Sequence, residues 1–179
     1  TNFDFGFNLH ETELRYGIDK ILNKKNRLNF GVSTKLYGIN PGEISPNGAE
    51  SEVESFSVKR EQGLESAVFI SNEFTFTDKL SVDAGVRFSV FNFLGETQQR
   101  TYLDNQPKNN ETATDTLFFR NNEFVKTYGG PEVRVSGRYL LTPSLSLKAG
   151  FNSTLQYIHT LSNNTTASPI DTWKLSDTH

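Results

Sequence analysis

The apolar and polar side chains of residues 67–94 alternate on both sides of a short turn at Thr77-Asp78-Lys79. Because successive side chains of a β-strand point to opposite faces, the alternation predicts two strands, each with one apolar face. So short a connection predicts that they pair as a hairpin. Asn72 interrupts the apolar face, which otherwise comprises Val68, Ile70, Phe74, Phe76, Leu80, Val82, Ala84, Val86, Phe88 and Val90.

The same unit occurs twice more along the chain. Residues 128–157 alternate around Thr142-Pro143-Ser144, and residues 13–39 lie on both sides of Asn23-Lys24-Lys25-Asn26. Pro143 suits a turn because it has no backbone N–H to donate. The apolar faces predicted from this pattern contain Val133, Val135, Gly137, Tyr139, Leu141, Leu145, Leu147, Ala149, Phe151, Leu155 and Tyr157 in the first case, and Leu28, Phe30, Val32 and Leu36 in the return strand of the second.

The first segment changes parity. Phe3, Phe5, Phe7 and Leu9 share one face, whereas Leu14, Tyr16 and Ile18 share the other. A β-bulge at residues 10–13 within one long strand would produce this switch, and so would a separate strand with a tight turn at Glu11-Thr12. We favour the bulge.

The connections alternate between short and long. Long polar stretches cover residues 40–55, 96–122 and 159–179, so all short turns lie at one end of the predicted sheet. Outer-membrane barrels have this asymmetry, with short periplasmic turns and long extracellular loops. A soluble up-and-down barrel with its apolar face inward would show the same alternation. Three features favour a membrane barrel over a soluble one. The long loops all lie at one end, and the polar face is rich in Ser, Gly and Asn. Aromatic residues lie near strand ends, where such rings suit the interface between membrane and water.

Composition excludes several classes of protein. Only 35% of the 179 residues are hydrophobic, which is too few for a bundle of membrane helices. A net charge of -3 does not suggest a nucleic-acid partner. The absence of cysteine excludes disulfides and thiol chemistry. The chain begins without methionine or a signal peptide, so we expect it to begin inside a longer precursor.

No catalytic, cofactor-binding or metal-binding motif is evident, and we do not expect an enzyme. His10, His159 and His179 follow no metal-ligand spacing. The run Glu50, Glu52, Glu54 has the oxygen ligands that hard cations prefer, but a solvated loop explains it better.

Two sets of residues are candidates for contact with a solute. The first lies opposite the apolar face and would line the lumen of a barrel, where its charges could also pair with one another; it contains Asp83, Arg87, Glu132, Arg134, Arg138 and Lys148. The second lies in the long loops, at the predicted extracellular mouth; it contains Tyr102, Leu103, Phe118, Phe119 and Trp173.

Several stretches resemble the barrels of TonB-dependent receptors of the Bacteroidetes type. They are "ETELRYGIDKILNKKNRLNFGVSTKLYGINPG", "LSVDAGVRFSVFNFLG" and "KTYGGPEVRVSGRYLLTPSLSLKAGFNSTLQYIHTLSNNTTASPIDTWKLSD", which together span nearly the whole chain. The resemblance implies the bacterial outer membrane, with lipid, a plug domain, TonB and an imported solute as partners. Nothing in the sequence identifies that solute.

The resemblance also implies a fold class. Such receptors have a barrel of about 22 strands, whereas this chain shows about six and no recognisable plug or TonB box. We therefore expect residues 1–179 to be an all-β, antiparallel, up-and-down transmembrane barrel segment from the middle of a larger barrel. A complete small barrel of about eight strands is the competing hypothesis. A structural or scaffold barrel of a surface or secretion complex is the alternative function, and a soluble ligand-binding barrel is a distant one.

Overall fold

A computed structural model describes residues 2–48, 50–162 and 172–177. These residues form eleven β-strands and no helix that could span a membrane. The strands are β1 (Phe3–Asn23), β2 (Asn26–Pro46), β3 (Phe56–Ser57), β4 (Glu61–Thr77), β5 (Leu80–Leu94), β6 (Thr97–Tyr102), β7 (Ala113–Phe119), β8 (Phe124–Thr142), β9 (Leu145–Ser153), β10 (Ile158–Leu161) and β11 (Thr172–Leu175).

Six strands form one antiparallel sheet in the order β1-β2-β4-β5-β8-β9, and β3 pairs with β2 beside this path. The sheet curls into a half-barrel. The predicted all-β, up-and-down arrangement of six strands is therefore confirmed. In the described part of the chain, β1 and β9 are the edges of this sheet.

The three predicted turns are present. Each has two residues between its strands, namely Lys24-Lys25, Asp78-Lys79 and Pro143-Ser144. All three lie at one end of the sheet, which we call the turn end, and the longer connections lie at the opposite loop end. At the second turn, the Thr77 side-chain oxygen accepts from the backbone N–H groups of Lys79 and Leu80, at 3.2 and 3.0 Å.

The two faces of the half-barrel carry opposite kinds of side chain and differ in exposure. The outer, convex face carries the apolar residues of the alternating pattern, and they are exposed: Val68 is 56% exposed and Val86 is 53% exposed. The inner, concave face carries their polar neighbours, and here Glu65 and Glu132 are only 7% and 6% exposed. A soluble sheet protein has the reverse arrangement, since apolar side chains gain most from leaving water.

Asn72, the exception in the apolar stripe, has a partner. Its amide nitrogen donates to the side-chain oxygen of Asn26 across the β2–β4 pair, at 2.8 Å. An amide pair satisfies polar groups that would otherwise be costly on an apolar surface.

The bulge predicted at residues 10–13 is wrong, although β1 is one long strand as we favoured. Pairing with β2 is unbroken from Asn8 to Ile21, and the two irregularities lie between Gly6 and Asn8 and between Ile21 and Asn23. Leu9 therefore shares the concave face with Glu13. The parity change reflects a change in what that face contacts, because the nearby Phe7 ring meets Trp173 at 6.4 Å between centroids.

The segments predicted as long loops contain strands. Residues 96–122 include the hairpin of β6 and β7, while β2 extends to Pro46 within the stretch predicted as a loop from residue 40. The last stretch includes β11, which pairs with β10. Residues 163–171 and 178–179, with His179, lie outside the described residues.

Candidate functional site on the concave face

A chain of charged hydrogen bonds crosses the middle of the concave face. The Arg87 guanidinium of β5 donates to Glu65 of β4 at 2.5 Å and to Glu132 of β8 at 2.9 Å. The Tyr37 hydroxyl of β2 donates to the second oxygen of Glu65 at 2.8 Å. The network therefore links four neighbouring strands.

Strand register explains how these residues meet. Arg87 and Glu132 lie directly opposite each other in the β5–β8 pair. Glu65 does not lie opposite Arg87, because Phe69 occupies that position of β4 and Glu65 lies opposite Phe91. The long arginine side chain spans this offset, and its guanidinium bonds both carboxylates at once. Since both carboxylates are buried, each depends on Arg87 for a compensating charge.

The network forms part of the wall of a cavity of about 630 Å³. Of the predicted lumen set, Asp83, Arg87, Glu132 and Arg134 line this cavity. The charged lining is balanced, with four carboxylates and four cations: Glu13, Glu65, Asp83 and Glu132 against Arg15, Lys35, Arg87 and Arg134. The Arg15 guanidinium lies 4.5 Å from the centre of the Phe69 ring, a cation–π contact.

The remaining two residues of the predicted lumen set lie outside the cavity. Arg138 and Lys148 face each other in the β8–β9 pair, nearer the turn end, and share the concave face by alternation. Their role in lining a lumen stays a prediction. Two cations directly opposite each other repel, and their long side chains can spread into water.

An apolar layer lies above the charged network, toward the loop end. It combines buried side chains of β2 and β5 with Tyr157, which precedes β10, and Leu175 of β11, which pairs with β10 in what we call the terminal hairpin. Its members are Tyr37, Ile39, Phe91, Phe93, Tyr157 and Leu175. The Tyr157 ring stacks on Phe91 at 4.8 Å, with 9° between the ring planes. Its hydroxyl lies 2.9 Å from the hydroxyl of Ser89.

Tyr157 was predicted to continue the apolar outer face of the strand, and this prediction is wrong. Strand β9 ends at Ser153, and the chain then folds inward, so that Tyr157 is buried in the half-barrel. Alternation does not reveal where a strand ends and its chain folds back, which is why the sequence placed this ring at the membrane boundary.

Lys174 fixes the terminal hairpin to the sheet. Its ammonium donates to Glu61 of β4 and to Asp177, both at 2.5 Å. Burial alone would lower the pKa of this ammonium, but the hydrogen bonds to Asp177 and Glu61 and their charges outweigh it, and the pKa is raised above its usual value. The backbone N–H of Leu175 also donates to Glu61, at 2.8 Å.

The predicted loop residues do not form one group. Tyr102 and Phe118 line a second cavity, of about 390 Å³, on the β6–β7 hairpin, together with Gln98, Arg100 and Thr116. Phe119 follows on the opposite face by alternation. Trp173 is elsewhere, against the apolar layer at the loop end. Their contact with a solute stays a prediction.

The sequence analysis missed Tyr37, Glu65 and Ser89. Glu65 has the same parity as Phe69, on the polar side of the alternation, so its face was available from the pattern. In the β4–β5 register Glu65 lies opposite Phe91 and Arg87 lies opposite Phe69, so parity and pairing alone do not join Glu65 to Arg87; the extended arginine side chain does. No group of three or more His, Cys, Asp or Glu side chains within the described residues is placed to hold a metal ion.

One family model matches the chain, that of the TonB dependent receptor-like β-barrel, over residues 1–171. Searches of curated proteins and of solved structures gave no match. The matched range includes the entire six-stranded sheet and the charged network on its concave face. The chain therefore belongs to the family of TonB-dependent receptor-like β-barrels, whose members are receptors and transporters of the bacterial outer membrane.

Proposed function

We propose that residues 1–179 form a section of the barrel wall of an outer-membrane receptor that imports a scarce solute. The convex face contacts lipid, and the concave face lines the path of the solute. In this proposal the partners of the chain are outer-membrane lipid, the other strands of the barrel, a plug domain, TonB and the solute.

The observation that carries this proposal is the inverted burial of the sheet. Exposed Val, Leu, Ile and Phe side chains cover the outside, whereas buried, paired charges occupy the inside. Exposing apolar side chains to lipid carries no free-energy penalty of the kind that water imposes. A polar inner face is typical of membrane barrels. The described sheet has two open edges, and unpaired backbone groups are costly in a membrane. These edges therefore support the proposal that further strands of the barrel pair with them.

Single spin labels on adjacent positions test the orientation. Labels at Val86→Cys and Val135→Cys should respond to a relaxation agent dissolved in lipid, and labels at Arg87→Cys and Arg134→Cys should not. The paired positions are one residue apart on the same strands, so each serves as the control for its neighbour. If the valine positions are shielded from lipid and the arginine positions meet bulk water, the proposal is wrong.

Import is tested separately in living cells. Cells with and without the gene for this receptor are compared for the depletion of solutes from a defined medium. A solute taken up through the receptor should remain in the medium when the gene is deleted, and also when TonB is deleted. Equal depletion in all three strains would favour a barrel without an import role.

A further inference from the structure

In the described part of the chain, the ion pairs between strands of the six-stranded sheet lie on its concave face. Lys35 pairs with Glu11 at 3.0 Å. Arg87 pairs with Glu65 and Glu132. Within the six strands, no position of the convex face is occupied by Asp or Glu. A cation on the convex face therefore has no carboxylate of the sheet beside it.

Arg60 is such a cation. It directly precedes β4, and its side chain reaches across to β2, where it covers Gly38. Gly38 has the same parity as Leu36, which is exposed on the convex face. A Cβ atom added to Gly38 would lie 2.7 Å from a guanidinium nitrogen of Arg60, so glycine leaves the room that this approach requires. Arg60 forms no ion pair with a carboxylate of the described residues.

The strand register places two more polar residues beside Gly38. His10 of β1 lies directly opposite it on one side, and Gln62 of β4 lies directly opposite it on the other. Because directly opposite residues of paired strands share a face, all three lie on the convex face. A guanidinium, an imidazole and an amide, each of which can donate hydrogen bonds, thus meet around one glycine.

Arg60 also lies where the apolar part of the convex face ends. Gly38 is ten residues beyond Leu28, the convex apolar residue of β2 nearest the turn end. At about 3.3 Å per residue and a strand tilt of about 40°, this separation is about 25 Å along the membrane normal, the height of the apolar band of a membrane barrel. When the convex face meets lipid, the guanidinium therefore lies at the level of the head groups.

We propose that Arg60, which lies over Gly38 between His10 and Gln62, binds the phosphate of a lipid head group in the leaflet at the loop end. This inference rests on the proposed function, since only a barrel whose convex face contacts lipid brings Arg60 to a head group. A guanidinium bonds two phosphate oxygens at once, and the phosphate supplies the negative charge that the convex face lacks.

Titration of the intact receptor in detergent with lipid tests the site. The probes are lipid A that carries a phosphate and the same lipid A after enzymatic removal of that phosphate, and native mass spectrometry counts the bound molecules. The receptor should bind the phosphorylated lipid about tenfold more tightly, because hydrogen bonds between charged groups are the strong ones. Equal binding of the two lipids would overturn the inference.

Arg60→Gln should abolish this preference for the phosphorylated lipid. Lys59→Gln is the matched control, because it removes the same charge from the exposed neighbouring residue, and it should keep the preference. An equal loss in both variants would show that general charge attracts the lipid, and the inference would be wrong.

A second variant displaces the guanidinium without changing the charge of the receptor. The methyl group of Gly38→Ala occupies the space beside Arg60, so this variant should weaken binding of the phosphorylated lipid severalfold. Gly137→Ala is the control on the same face, where the atoms nearest to an added Cβ lie at 4.0 Å, and it should bind like the unaltered receptor. If Gly38→Ala also binds like the unaltered receptor, the position of Arg60 over Gly38 does not matter and the inference fails.

Inorganic phosphate distinguishes a lipid site from a site for free anions. It should bind far more weakly than the phosphorylated lipid, because the acyl chains of the lipid also contact the convex face. Equally tight binding of inorganic phosphate would contradict the inference. Spin labels at Val86 and Val135 report contact with lipid whether or not Arg60 binds phosphate, so failure here is separate from failure of the proposed function.

Discussion

At the scale of single residues, Arg87 compensates the two buried carboxylates of the concave face. We predict that Arg87→Met lowers the free energy of unfolding by about 3 kcal/mol, because removal of one partner leaves buried charges uncompensated. Urea titration of the folded receptor in detergent measures the loss. Adding Glu65→Gln and Glu132→Gln to Arg87→Met should recover most of it.

Arg138→Met is the control for this prediction. Arg138 lies on the same face of the barrel wall and is exposed, whereas Arg87 bonds two buried carboxylates. Its replacement should change the free energy of unfolding by no more than about 0.5 kcal/mol. An equal loss for both variants would mean that general charge, and not the network, explains the effect.

Gly31 occupies a position where β1 and β2 approach closely. A Cβ atom there would collide with the Tyr16 carbonyl oxygen and lie 2.8 Å from the Gly17 Cα. We predict that Gly31→Ala costs about 1–3 kcal/mol in unfolding free energy, since the strand backbone must move. Gly6→Ala, which meets no atom within 4 Å, should be close to neutral in the same titration.

Single residues also show what alternation reveals and what it does not. Arg87 and Glu132 were predicted to share a face, because parity depends only on local backbone geometry. The partnership of Glu65 with Arg87 is diagonal, since Glu65 lies opposite Phe91 and Arg87 lies opposite Phe69, so it depends on how the long arginine side chain extends and not on parity alone. Tyr157 was misplaced because its position depends on where β9 ends, and a four-residue segment without regular structure carries no periodic signal.

At the scale of elements, the β6–β7 hairpin is separate from the main sheet. Its base is closed by two backbone hydrogen bonds, from Gly95 to the Glu123 carbonyl at 2.8 Å and from Asn122 to the Gly95 carbonyl at 2.9 Å. The chain ends are thus already close together where β5 leaves the sheet and β8 enters it.

We predict that excision of residues 97–120 leaves the barrel folded. The free energy of unfolding should change by less than about 1 kcal/mol, because a shorter surface connection between the same ends alters closure entropy little. Urea titration checks the stability. If Tyr102 and Phe118 contact the solute, uptake should fall while stability is kept; loss of folding would show that this hairpin supports the sheet.

The elements themselves were predictable in different degrees. Two-residue turns and the strands beside them were found because their signals are local and repeated. Strands within the polar stretches were missed, since a hairpin in water has polar residues on both faces and its alternation is weak.

At the scale of the whole molecule, the open edges of the sheet govern behaviour in water. We predict that residues 1–179 alone do not form a monodisperse monomer without detergent, because both the edge strands and the convex face expose groups that associate. Light scattering after size-exclusion chromatography checks this. A folded, soluble monomer would contradict both the lipid-facing surface and the need for further strands.

The two-residue turns have a consequence for how such receptors diversify. An insertion at Asp78-Lys79 would force β4 and β5 to slide against each other, and a shift of one residue would turn their apolar side chains to the wrong surface. At the other end of the molecule, additions lengthen a connection without disturbing pairing. Mutation can therefore lengthen or shorten the connections at the loop end, while the pairing of the six-stranded sheet keeps its register.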